Sequence, residues 1–255
     1  MKVVLLAGGA GTRISEESEY WPKPMVEIGG MPILWHIMKY YSSYGYNDFV
    51  ICGGYKQHCI KEYFSNYFIN HSDITFNMRD NSLQVHNNNS EQWKVTVVDT
   101  GLYTNTGGRL NKIKKYVADE PFMLTYGDGV SDINIRELIK YHKNKGKTVT
   151  ISAVTPGGRF GSLDIDDYGI VNSFVEKRRE DGGWINGGYM VIDPEIFDYI
   201  DDNSILEREP FEELTKKGQL VAYKHYGFWQ CMDSMKDHSY LESLITANKA
   251  PWIRW

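Results

Sequence analysis

Cysteine is scarce in this 255-residue sequence: Cys52, Cys59 and Cys231 form neither a disulfide framework nor a CxxC pair of zinc spacing. That excludes a structural metal of the thiolate kind and suits a reducing compartment. An excess of positive charge is also missing, since 33 Asp and Glu outweigh 28 Lys and Arg to leave a net charge of −5. A nucleic-acid binder or a polybasic membrane binder is disfavoured by that balance. Long apolar runs are lacking too. The opening run Val3 to Ala7 meets Gly8-Gly9 at once, too short for the apolar region of a signal peptide and far below a membrane span. A soluble, cytoplasmic protein is the expectation. No linker, internal repeat or low-complexity stretch divides the chain, and 42% hydrophobic with 24% charged residues is ordinary globular usage, which excludes disorder as the main state. One domain over residues 1–255 with local insertions is expected.

What is present alternates. Val3-Val4-Leu5-Leu6, ended by glycines, has the pattern of a strand buried on both faces. Pro32 to Tyr44 follows with Ile33, Leu34, Ile37 and Met38 spaced for one helix face, then a strand over Asp48 to Cys52 and a helix over Lys56 to Phe68. Strand, helix, strand, helix predicts a doubly wound α/β sheet. Asp80 to Gln92 is polar, centred on Asn87-Asn88-Asn89, and reads as a loop or hairpin excursion. Beyond it the pattern predicts a strand over 94–99, a loop over 101–108, a helix over 109–117 and a buried strand over 121–126. A helix over 134–145, strands over 148–154 and 187–192, a helix over 210–217 and a strand over 220–224 complete the reading. Residues 161–175 look like a meander around the turn Asp166-Asp167-Tyr168-Gly169.

The chemistry begins at Leu6-Ala7-Gly8-Gly9-Ala10-Gly11-Thr12-Arg13, a glycine-rich turn directly after the first strand. Glycines there let a ligand approach backbone N–H groups, which is how a loop cradles phosphate. Neither better-known loop fits: GxGxxG fails at Ile14, and a Walker A motif counted from Gly8 meets Arg13 where glycine should stand. Lys23-Pro24-Met25 then presents an ammonium on a stiffened backbone, suited to charge on a transferring phosphoryl or nucleotidyl group. Each feature alone has a plainer reading, a tight turn and a solvated lysine; GGxGTR followed by KPM is specific. Gly127-Asp128-Gly129 ends a predicted strand, where open α/β sheets bind ligands and where an uncrowded Asp reaches Mg2+. Simple turn chemistry is the alternative for that tripeptide.

On these residues the chain resembles the sugar-1-phosphate nucleotidyltransferases over its whole length. Val26-Glu27-Ile28-Gly29-Gly30, Trp35-His36-Ile37-Met38, Thr106-Gly107-Gly108-Arg109-Leu110, Thr125 to Gly129, Gly158-Arg159-Phe160-Gly161, Ile185-Asn186-Gly187-Gly188 and Gly227-Phe228-Trp229-Gln230 point to the cytidylyl branch. The resemblance implies a Rossmann-like three-layer α/β/α fold with a mixed, mostly parallel central sheet, and the transfer of CMP from CTP to α-D-glucose 1-phosphate with release of pyrophosphate. It implies Arg13, Lys23 and Lys177 as the catalytic cations. Leu6, Ala7, Gly8, Gly9, Ala10, Gly11, Thr12 and Arg13 would hold the nucleotide with Lys23, Thr104, Thr106, Arg109 and Gly127. Tyr126, Gly161, Glu176, Lys177, Asn186 and Gly187 would form the sugar-phosphate pocket, and Asp128 and Asp233 would bind Mg2+. It also implies a homohexamer, with the aromatic C-terminal run Ala250 to Trp255 and the cluster Tyr226, Phe228 and Trp229 divided between an interface and the chain's own core. Two departures stand out. Arg178 replaces the proline that commonly follows Glu176-Lys177, and the Asn87 to Asn89 segment is more polar and less basic than the family's. A glycosyltransferase using a nucleotide sugar, suggested by Asp164-Ile165-Asp166, and a non-catalytic nucleotide-sugar sensor are the competing readings. The turn after the DxD tripeptide argues against the first, and joint retention of Lys23, Asp128, Lys177 and Asp233 against the second.

Overall fold

The computed structural model describes residues 1–9, 21–155 and 183–255, together with the backbone of strands Gly161–Ile165 and Val171–Glu176. Seven strands form the central sheet: β1 (Val3–Ala7), β2 (Asp48–Gly53), β3 (Lys94–Asp99), β4 (Phe122–Tyr126), β5 (Val149–Val154), β6 (Ile185–Ile192) and β7 (Leu220–His225). Their order across the sheet is β7-β5-β6-β4-β1-β2-β3. The sheet is mixed and mostly parallel, because only β6 runs antiparallel to its neighbours, β5 and β4.

Side chains alternate across β1, and the two faces collect separate cores. Val3, Leu5 and Ala7 join one core with the helices α1 (Ile33–Ser42), α2 (Gln57–Asn70), α5 (Ile135–Lys145) and α7 (Met235–Thr246). Val4 and Leu6 join the other with α3 (Thr106–Lys112), α4 (Lys114–Val117) and α6 (Glu209–Lys216). This is the three-layer α/β/α arrangement. Local signals fix several ends: the Asn134 side chain caps α5 by accepting from the Arg136 and Glu137 amides, and Gly146 closes it at φ 55°.

Some expectations change. The helix expected over 109–117 starts earlier and breaks at Ile113 into α3 and α4, so Thr106 to Gly108 are helical and not loop. The backbone can turn there because Gly107 and Gly108 press on residues 202–204, where a Cβ on Gly108 would lie 2.2 Å from the Asp202 carbonyl oxygen. The Asn-rich excursion is a hairpin, Ser72–Asn77 against Ser82–Asn88. Helix α7 carries no strong apolar stripe, with Leu241 its one buried residue, and periodicity missed it. In the C-terminal aromatic run, Trp252 is fully buried in the chain's own core and stacks on Phe228 at 5.4 Å, while Tyr226 stays 75% exposed. Interior packing therefore claims Trp252 and Phe228.

Candidate active site

After β1 the chain turns to one side through β2 and β3, and β4 lies on β1's other side, so the topology reverses between β1 and β4. Such a switch point opens a crevice at the strands' carboxyl ends, where α/β sheets take their ligands. A cavity of about 620 Å³ lies there. Leu6, Ala7, Gly8 and Gly9 form one wall, Tyr126, Gly127 and Asp128 the next, and Thr104, Thr106 and Arg109 a third. Lys23, Gly187 and Asp233 also line it.

Lys23 opens a short 3₁₀ turn whose Pro24 and Met25 are buried, so the stiff segment is anchored and the ammonium projects. Its Nζ lies 2.5 Å from Asp128 Oδ2 and 2.5 Å from Asp233 Oδ1. Asp233 reaches Asp128 across 105 residues of sequence because Gly129–Ser131 pairs antiparallel with Trp229–Cys231, and the Met232 amide donates to the Asp128 carbonyl at 2.8 Å. Burial lowers the Lys23 pKa, but attraction and hydrogen bonding from Asp128 and Asp233 outweigh it and raise the pKa above its ordinary 10.5. Cys231, beside Asp233 at 3.3 Å, is pushed up to about 12 by burial and by the carboxylate, and is therefore a thiol and not a nucleophilic thiolate at neutral pH.

Asp237 braces this corner. Ser234 and Asp237 cap α7 reciprocally, and the Asp237 carboxylate also accepts from the Asp233 amide at 3.1 Å and from Gln230 Nε2 at 3.0 Å. Asp128 and Asp233 both touch one nitrogen, so their oxygens lie within twice 2.5 Å of each other. Two hard carboxylate donors that close match Mg2+, which takes few protein ligands and keeps waters and substrate phosphate oxygens. Among the described residues no group of three or more His, Cys, Asp or Glu side chains could hold a metal, and a cage supplied wholly by these residues is excluded.

Arg109, expected to hold the nucleotide, lines the cavity but turns its guanidinium onto the surrounding backbone. It is 5% exposed, and its guanidinium donates to the carbonyls of Gly8 at 2.9 Å, Gly101 at 2.8 Å, Leu102 at 3.2 Å and Gly53 at 3.3 Å, and to Thr100 Oγ1 at 2.7 Å. Burial lowers its pKa, but an arginine stays protonated. It therefore pins the start of the glycine loop to the ends of β2 and β3. Gly8 and Gly54 make room for it: a Cβ would lie 2.1 Å from Nη1 at Gly8 and 2.5 Å at Gly54.

On the other side of the cavity, Asn186 Nδ2 donates to the Tyr126 hydroxyl at 3.4 Å, and the Gly187 carbonyl accepts from Trp229 Nε1 at 2.7 Å. Burial, and then Glu207, raise the Tyr126 pKa. Glu207 itself, a cavity residue that sequence reasoning missed, accepts from both Tyr126 and Thr106. No local signal marks it, since Leu206-Glu207-Arg208-Glu209 reads as a solvated charge run. Ala10, Gly11, Thr12, Arg13 and Lys177 lie outside the described residues. Gly161 and Glu176 face each other across the ribbon of strands Gly161–Ile165 and Val171–Glu176.

A cavity that opens on the first residues of a glycine-rich turn, a cation held between two carboxylates and an adjoining polar pocket are parts that suit nucleotidyl transfer. The family model described as nucleotidyl transferase matches residues 2–249, and the chain belongs to that family. It is 54% identical to the glucose-1-phosphate cytidylyltransferase of Salmonella typhi and 43% identical to the probable glucose-1-phosphate cytidylyltransferase of Bacillus subtilis strain 168, in both cases over 100% of each chain. Among solved structures it is similar to HddC from Yersinia pseudotuberculosis, 26% identical with a TM-score of 0.69, covering 96% of this chain and 99% of that one. A second structure of that protein is a complex with GMP-PN.

Proposed function

We propose that the protein transfers CMP from CTP to α-D-glucose 1-phosphate, forming CDP-glucose and pyrophosphate. The observation that carries this reading is Lys23 held between Asp128 and Asp233 at the mouth of the glycine-loop cavity, in a chain 54% identical over its full length to a glucose-1-phosphate cytidylyltransferase. A phosphate oxygen of the sugar phosphate attacks the α-phosphorus of CTP, a new P–O bond forms, the α–β bridge breaks, and pyrophosphate leaves. The attacking oxygen is already anionic near neutral pH, so no general base is required. The protein's task is to bring two polyanions together in line.

In this reading the amides of the glycine loop, with Arg13, take the β- and γ-phosphates. Arg109 acts by holding Gly8, so that the loop stays open to phosphate, and Lys23 supplies positive charge at the α-phosphate. Lys177 neutralises the attacking phosphate, and Tyr126, Asn186, Gly187, Gly161 and Glu176 receive the sugar. Asp128 and Asp233 would hold Mg2+, which supplies charge neutralisation to the triphosphate when bound. Thr104, Thr106 and Gly127 complete the nucleotide side.

The enzyme would work in the cytoplasm as a homo-oligomer, a hexamer. Phe76, Met78, Leu83 and Val85 of the hairpin are 39–83% exposed, next to Phe68 and Ile69 of α2, and a neighbouring copy would remove that apolar surface from water. A pyrophosphate-release screen of four nucleoside triphosphates against a panel of sugar 1-phosphates tests the activity. CTP with glucose 1-phosphate should give the highest kcat/KM, and preference for GTP or another sugar phosphate would overturn the assignment. Light scattering tests assembly, where a fully active species near 29.4 kDa would reject it.

A further inference from the structure

The segment from Asp201 to Glu207 straps the start of α3. Asn105 Nδ2 donates to the Asn203 carbonyl at 3.1 Å, the Gly108 amide to the Ser204 carbonyl at 3.1 Å, and Asn111 Nδ2 to Asp202 at 2.9 Å. The strap ends on Glu207, whose carboxylate is half-buried in the cavity wall. Its Oε2 accepts from Thr106 Oγ1 at 2.5 Å, and its Oε1 accepts from the Tyr126 hydroxyl. One side chain thus joins the first residue of α3, on the nucleotide wall, to the last residue of β4, on the sugar wall.

The chemistry of the two hydroxyls follows from this. Thr106 Oγ1 accepts from the Leu206 amide at 3.0 Å and gives its proton to Glu207, so it has no proton left for a ligand. Tyr126 likewise commits its only proton to Glu207, while its oxygen already takes one donor, Asn186 Nδ2, at 3.4 Å. A carboxylate has no proton to return, so the phenol can face the cavity only as an acceptor. A ligand hydroxyl that donates satisfies it; a carbonyl or ether oxygen at that place does not.

We propose that Glu207 is a positioning residue for nucleotidyl transfer, which fixes the Tyr126 hydroxyl as an acceptor for a hydroxyl of the sugar phosphate and ties that group to the nucleotide wall through Thr106. This rests on the reading of the cavity as a site for a nucleotide and a sugar 1-phosphate. Glu207→Gln keeps the shape but removes the charge and turns one oxygen into an NH₂ donor, so the side chain can no longer accept from both hydroxyls: either the phenol loses its acceptor, or the bond to Thr106 is reversed and the bond that holds the phenol loses its charge assistance.

Pyrophosphate release by the wild type is measured first across nucleotides and sugar 1-phosphates, and its outcome judges the functional reading by itself. The variants are then compared on whichever pair the wild type turns over. Glu207→Gln should raise KM for the sugar phosphate about tenfold, the usual effect of disturbing a charge-assisted hydrogen bond, with kcat within about threefold. The deciding measurement is a double-mutant cycle. In a Tyr126→Phe background Glu207→Gln should change the sugar-phosphate KM less than about twofold, and in a Thr106→Val background, where the tie to the nucleotide wall is already cut, the rise should fall clearly below about tenfold. If the rises simply multiply in both backgrounds, Glu207 is only a strap for the fold and the proposal fails. An unchanged sugar-phosphate KM in Glu207→Gln alone also overturns it. Should the amide variant not fold, Glu207→Asp, which keeps the charge but is one methylene too short to span both hydroxyls, runs through the same cycle with the same two criteria.

Discussion

Replacing Lys23 by methionine tests the centre of the site through stability, without relying on turnover. The wild-type ammonium is 12% exposed and makes two charge-assisted contacts of 2.5 Å, to carboxylates that are 28% and 31% exposed. Each such bond contributes about 1.5–3 kcal/mol, while leaving water costs the ammonium a good part of that sum. In the variant Asp128 and Asp233 both lose their contact to this ammonium, and the net loss should be about 2 kcal/mol near neutral pH. For a chain of this size that is a fall in Tm of about 4–8 °C. Scanning calorimetry reads it, and millimolar magnesium should restore most of the loss, because the divalent ion replaces the missing charge between Asp128 and Asp233. The pH dependence has a definite sign. The Lys23 pKa is raised on folding, so its stabilisation is complete below its ordinary 10.5 and disappears as pH rises through the folded value. The wild type and Lys23→Met should therefore converge in strongly alkaline buffer. A variant within about a degree of the wild type at pH 7, or a loss that magnesium leaves untouched, would refute the picture of a lysine standing between metal-ligating carboxylates.

Asp128→Asn and Asp233→Asn should each lower kcat by roughly 10² to 10³, the usual cost of one electrostatic contact to the reacting phosphates, with unchanged circular dichroism; near wild-type turnover at saturating magnesium would dismiss the metal assignment. Gly8→Ala brings a Cβ to 2.1 Å from Arg109 Nη1, so titration calorimetry should show CTP affinity falling more than sugar-phosphate affinity, and equal losses would contradict the phosphate role of the loop. Asp237→Ala removes half of a reciprocal cap and the acceptor of the Asp233 amide; Tm should drop by the few degrees that about 1 kcal/mol represents, and half-saturation should need more magnesium, whereas an unchanged magnesium requirement would mean that the brace does not reach the carboxylates.

Much of this protein is local and was therefore readable. The uninterrupted apolar run of β1 needs burial on both faces, which a central parallel strand provides, and Asn134 and Gly146 bracket α5 by side-chain capping and by glycine's tolerance of φ 55°. The glycine turn, the stiffened Lys23 and the strand-end Asp128 follow from short motifs whose chemistry is set within a few residues. Asp233 entered only through a family resemblance, because nothing within Gln230 to Ser234 marks it. What brings it to Lys23 is the pairing of Gly129–Ser131 with Trp229–Cys231, a contact between distant segments. Tertiary structure also decided the direction of β6, since an apolar strand carries no sign of whether its neighbours run with it or against it. It turned Arg109 inward, where one guanidinium donates to the carbonyls of Gly8, Gly53, Gly101 and Leu102, at the ends of β1 and β2 and in the loop after β3. Glu207 is the plainest case. Its sequence neighbourhood is that of a solvated charge run, and its chemistry exists only because the fold sets the start of α3 and the end of β4 on either side of its carboxylate.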